Sequence, residues 1–117
     1  ICTDENAADT QVLNTGQPYG MFVSLSGYGS PPEMVYVTQI PALIGRGDMA
    51  DCRLHGESIS RVHAKLAYAD ANFILEDIES TNGTYVNDYP LKKGYPVLLF
   101  PGDEVSFGSE RYEFRVC

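Results

Sequence analysis

No stretch of a dozen residues in this chain holds helical spacing without a Gly or Pro breaking it. The apolar residues come instead in short runs: MFVSLS (21–26), MVYVTQI (34–40), ALIG (42–45), CRL (52–54), HAKLAYA (63–69), NFILED (72–77), TYVN (84–87), PVLLF (96–100), EVSFG (104–108) and RYEFRV (111–116). Several of them alternate strictly. Tyr112, Phe114 and Val116 fall on one side of their run, with Arg111, Glu113 and Arg115 on the other; Ala64, Leu66 and Tyr68 form a second such row. A period of two belongs to half-buried antiparallel strands. About ten short strands at regular turn spacing predict an all-β sandwich or barrel.

The punctuation between runs agrees. Thr81-Asn82-Gly83-Thr84 carries the Asn-Gly pair that most strongly signals a hairpin, Asp70-Ala71-Asn72 links two strong strands, and Phe100-Pro101-Gly102-Asp103 reads as a further turn. Upstream the texture differs: residues 1–19 hold three acids, no base and few large apolar side chains. Such a segment buries too little surface to offset its ordering entropy. Residues 1–20 therefore read as an acidic, Thr-containing linker or tail, and 21–117 as one domain of a longer protein.

Composition narrows the function. A formal net charge of −8, from 8 basic against 16 acidic residues, argues against nucleic acid or an anionic membrane as partner. A small basic pocket for one phosphate remains compatible with it. Three cysteines form no even, closely spaced framework, so free thiols and a cytoplasmic setting are expected. Cys52, His55 and His63 fall short of the four ligands of a structural zinc site. Ser60, His63 and Asp77 together sketch a nucleophile, base and acid, but Gly56-Glu57-Ser58-Ile59-Ser60 ends in Ser where a nucleophile elbow needs Gly. The expectation is a non-catalytic protein without metal or cofactor.

In a sandwich, loops gathered at one end make a recognition site. Three loop segments stand out: Gly45-Arg46-Gly47-Asp48, Ser58-Ile59-Ser60-Arg61-Val62-His63-Ala64 and Ser80-Thr81-Asn82-Gly83-Thr84. Each segment carries hydrogen-bonding side chains: Arg46 in the first, Ser60 and Arg61 in the second, Thr81 and Asn82 in the third.

Gly-Arg, then Ser-Arg-x-His-Ala, then Ser-Thr-Asn-Gly-Thr, in that order and spacing, resembles the forkhead-associated (FHA) family from about Met21 to Val116. The resemblance implies an eleven-stranded β-sandwich that binds phosphothreonine peptides through loops at one end. By position, Arg46 is similar to the arginine that contacts phosphate and peptide, Ser60 to the serine that donates to the phosphate, Thr81 to the threonine near it, and Asn82 to the asparagine that holds the ligand backbone. Arg61 follows the site serine and adds a second positive charge. Gly45, His63 and Gly83 match positions that shape the site. The implied partner is a protein phosphorylated by an upstream Ser/Thr kinase.

Two alternatives accompany this reading. Thr10, in Asp9-Thr10-Gln11-Val12-Leu13, resembles kinase-targeted threonines that precede some bacterial FHA domains, so a phosphorylated tail is a candidate internal ligand. A phosphorylation-independent assembly domain, using a sheet face or edge, is the other.

Overall fold

The computed structural model describes residues 18–25 and 33–116. These form eleven strands: β1 (Gly20–Ser24), β2 (Met34–Val37), β3 (Ala42–Gly45), β4 (Cys52–Arg53), β5 (Ala64–Ala69), β6 (Asn72–Asp77), β7 (Thr84–Val86), β8 (Tyr89–Pro90), β9 (Val97–Leu99), β10 (Glu104–Phe107) and β11 (Glu110–Val116). They pair into a six-stranded sheet, β2-β1-β11-β10-β7-β8, and a five-stranded sheet, β4-β3-β5-β6-β9. All pairs are antiparallel except β3 with β4. The protein is an all-β sandwich. Among the described residues no helix is long and apolar enough to cross a membrane.

Alternation sets which side chains meet between the sheets. Phe22 lies opposite Phe114 in the register of β1 and β11, and Val105 opposite Tyr112 in that of β10 and β11. All four are buried. Phe73 of the other sheet closes on Phe114 at 5.3 Å between ring centres, nearly edge to face, and Phe22 meets Phe107 at 5.5 Å. Each ring removed from water stabilises the fold by roughly 1.5–3 kcal/mol, and edge-to-face pairing adds about 0.5–1.5 kcal/mol.

β1 opens one residue before the apolar run suggests. Gly20 pairs with both Val37 and Val116, and a Cβ there would stand 2.7 Å from the Phe114 ring, so the strand needs a residue that carries no hydrophobic signal. Residues 1–17, including Thr10 and Cys2, together with 26–32 and Cys117, lie outside the described residues.

The Asn-Gly hairpin is overturned. β6 and β7, which flank Asn82-Gly83, belong to different sheets, so this turn carries the chain across the sandwich. Two-residue hairpins with positive φ at both central residues lie elsewhere. Asp70-Ala71, with φ of 54° and 65°, joins β5 to β6, and Asn87-Asp88, with φ of 51° and 70°, joins β7 to β8. Positive φ at both central residues matches the right-handed twist of the strands they connect. The Asp70-Ala71 and Phe100–Asp103 turns stand where the sequence puts them; the latter is closed by the Asp103 amide donating to the Phe100 carbonyl at 3.0 Å. β8, two exposed residues, carries no alternation to mark it in the sequence.

Candidate functional site

Arg46 lies in the β3–β4 loop, Ser60 and Arg61 in the β4–β5 loop, and Thr81 and Asn82 in the β6–β7 loop. Hydrogen bonds stitch these three loops, and the β10–β11 turn, into one surface. Gly45 permits the first seam. A Cβ on it would stand 2.1 Å from the Arg61 carbonyl oxygen, a distance no side chain tolerates. With no Cβ there, the Arg46 amide donates to the Ser60 carbonyl at 3.1 Å and the Gly47 amide to the Arg61 carbonyl at 3.2 Å.

His63 makes the second seam. Its Nδ1 accepts the Ser60 amide at 3.0 Å, which leaves the proton on Nε2 to be donated to the Gly83 carbonyl at 2.9 Å. The ring is fully buried and meets Phe107 edge to face at 5.5 Å, tying the loops to the core. Burial lowers its pKa below the ordinary 6.5, more than the Gly83 bond and the Asp77 charge raise it. A neutral imidazole is the form this bonding needs, since a protonated Nδ1 cannot accept.

Asp77 makes the third. Buried at the end of β6, its carboxylate accepts from the Ser80 amide at 3.3 Å, the Thr84 hydroxyl at 2.7 Å and the Ser80 hydroxyl. Ser80 Oγ in turn accepts the Gly83 amide at 3.1 Å. Gly83, at φ 92°, lets the chain turn back toward β7. A fourth seam joins Ser58 to the β10–β11 turn, where the Ser109 amide donates to Ser58 Oγ at 2.9 Å.

Against this scaffold the exposed residues keep unused bonding capacity. Arg46 Nε donates to the Ile59 carbonyl at 2.5 Å, which orients the guanidinium plane; among the described residues no bond engages its terminal nitrogens. Ser60 Oγ accepts the Thr81 amide at 3.0 Å, so its own proton is available to a ligand oxygen. Asn82 Nδ2 donates to the Ser58 carbonyl at 3.0 Å, leaving its side-chain carbonyl and a second N–H. Arg61 is exposed and shares a groove with Arg46, lined also by Arg53, Asp48, Met49 and Val62.

The arrangement does not assemble a catalytic triad. Both ring nitrogens of His63 are committed to backbone, and Asp77 bonds Ser80 and Thr84. Cys52 is buried, with its thiol pushed up to about 12 by burial and by Asp51. Among the described residues no group of three or more His, Cys, Asp or Glu is placed to hold a metal.

A family model described as the FHA domain matches residues 42–108, which contain all three loops. The chain belongs to the FHA family. FraH of Nostoc sp. is 47% identical over 54 residues, covering 46% of this chain and 19% of that protein. The oxoglutarate dehydrogenase inhibitor of Corynebacterium diphtheriae is 39% identical over 70 residues, covering 60% of this chain and 47% of that one. This chain thus spans less than half the length of both relatives. A solved structure from work on phosphothreonine-dependent FHA domain interactions matches with a TM-score of 0.69 at 28% identity, covering 83% of this chain and 95% of that one. FHA domains are non-catalytic binding modules.

Sequence reasoning singled out Arg46, Ser60, Arg61, Thr81, Asn82, Gly45, His63 and Gly83; all eight lie at this loop end, with Gly45 and His63 buried beneath the others. It passed over the Ser80–Asp77–Thr84 anchor and Arg53. The first had a signal: a carboxylate three residues before a Ser-Thr loop is placed to accept that loop's backbone amide.

Proposed function

We propose that this FHA domain binds phosphothreonine-containing peptides as a non-catalytic recruitment module in Ser/Thr kinase signalling. The observation that carries the reading is the rim itself. Arg46 keeps its terminal nitrogens and Ser60 its hydroxyl proton, on loops that hydrogen bonds fix to each other and to the exposed Thr81. A phosphothreonine brings about −1.5 to −2 charge and three acceptor oxygens. Charge-assisted bonds contribute roughly 1.5–3 kcal/mol each, so two or three support useful affinity. Asn82, anchored through one N–H to Ser58, presents its remaining amide atoms to the peptide backbone. Arg61 adds charge beside them, and preorganisation by Gly45, His63 and Gly83 limits the entropy lost on binding. The work on phosphothreonine-dependent interactions in a 28% identical relative supports the same ligand class. The module acts in the cytoplasm, where ATP-dependent kinases make its ligand.

Isothermal titration tests this with a phosphothreonine peptide library beside phosphoserine and unphosphorylated controls. The expected result is saturable binding of the phosphothreonine peptides, lost in Arg46→Ala. Equal binding of the unphosphorylated peptides would contradict it and favour an assembly domain, for which the half-exposed Leu98 and Phe100 at the β9 edge offer a surface.

A further inference from the structure

Five arginines serve this chain, and their placement is uneven. Arg111 and Arg115 lie on β11, paired with Glu104 and Glu113. The other three, Arg46, Arg53 and Arg61, line a single groove that holds one acid, Asp48. In a chain of net charge −8 this is a local reversal of sign.

Arg53 belongs to none of the three loop motifs, yet it is fixed to the site. Its Nε donates to the Arg46 carbonyl at 3.2 Å, and a terminal nitrogen pairs with the Asp48 carboxylate at 3.1 Å. Arg53 is 55% and Asp48 90% exposed, so the pair is solvated and readily exchanged. The Asp48 carboxylate shows what Arg53 is oriented to hold. Met49 and Val62 supply apolar walls beside it.

We propose that Arg53, with Arg61, forms a second anion site beside the phosphothreonine site, which takes an oxyanion carried by the same peptide near its phosphothreonine. The inference rests on the phosphopeptide reading above. A side-chain carboxylate and a second phosphate both supply that oxyanion. Asp48 acts as an internal competitor that an incoming anion displaces. Side chains at alternate positions of an extended ligand lie on one side about 7 Å apart, so a short positional scan finds the register.

The test measures dissociation constants for phosphothreonine peptides on the whole chain. Each peptide carries Ala, Asp or phosphoserine at one position, from four residues before the phosphothreonine to four after. At one or two positions Asp tightens binding roughly two- to five-fold, and phosphoserine about tenfold, more at low salt than at high. A response to one substituent alone identifies the source of the anion. The gain disappears in Arg53→Gln, persists in Arg53→Lys and grows in Asp48→Asn. The all-Ala phosphothreonine peptide binds Arg53→Gln within about two-fold of the parent, which separates an anion site from mere support of the Arg46 loop. The proposal is overturned if no position responds, if the gain survives Arg53→Gln, or if that variant weakens all peptides equally. Failure of every phosphothreonine peptide to bind the parent chain would overturn the underlying reading instead.

Discussion

The loop end of this sandwich contains two populations of polar residues in contact with each other and opposite in design. Beneath the surface, His63 and Asp77 are buried and spend their bonding capacity on backbone and neighbouring hydroxyls. At the surface, Arg46 and Asn82 each commit one N–H to a backbone carbonyl and keep the rest. The single bond orients the side chain, and the unspent donors are what a ligand finds. The difference teaches that rigidity and recognition are divided between layers. Residues below should therefore govern stability, and residues above should govern affinity with little cost to the fold.

The sharpest way to break that division is at Gly45. Ala there drives its Cβ into the Arg61 carbonyl, and backbone cannot swing aside as a side chain would. Gly45→Ala is expected to cost more than about 4 kcal/mol, and to abolish peptide binding as the 46–47 and 60–61 segments separate. Chemical denaturation and titration of the same sample check both halves. Arg46→Ala should do the reverse, losing about 2–5 kcal/mol of phosphopeptide affinity while its denaturation midpoint stays close to the parent's. Asp77→Ala leaves three donors without their acceptor. It should destabilise by about 2–4 kcal/mol in urea unfolding, with affinity reduced only as far as the loop loosens.

The smallest effect concerns pH. Burial holds the folded-state pKa of His63 below 6.5, so the unfolded chain takes up this proton first as pH falls. Its contribution is complete above about pH 6.5 and is lost progressively as pH drops toward the folded-state pKa. Urea midpoints should be level from pH 7.5 to 6.5 and decline from 6.5 to 5. A flat profile through that lower window would show that the imidazole is not buried neutral.

The same division explains what the sequence discloses. Strand class was legible because alternation in β5 and β11 is a direct imprint of one-sided burial. The rim was legible because Arg46, Ser60, Thr81 and Asn82 sit in loop motifs that carry a family resemblance. Which strands pair was less so. Asn82-Gly83 has the local chemistry of a hairpin, and only the positions of β6 and β7 in opposite sheets show that it crosses the sandwich. The lower layer was partly hidden for a similar reason. Asp77 sits at the end of a strand where an outward-facing acid looks the same, and its burial depends on Thr84 arriving from the other sheet. Arg53, on the two-residue β4, carries no motif at all.

The most direct measurement is a two-dimensional amide NMR titration of the chain with a phosphothreonine peptide. The account predicts that the largest shifts fall on Arg46, Ser60, Arg61, Thr81 and Asn82, including the Asn82 side-chain amide, while Leu98 and its β9 neighbours stay still. Shifts concentrated on β9 or a sheet face, with the loop end unmoved, would contradict it.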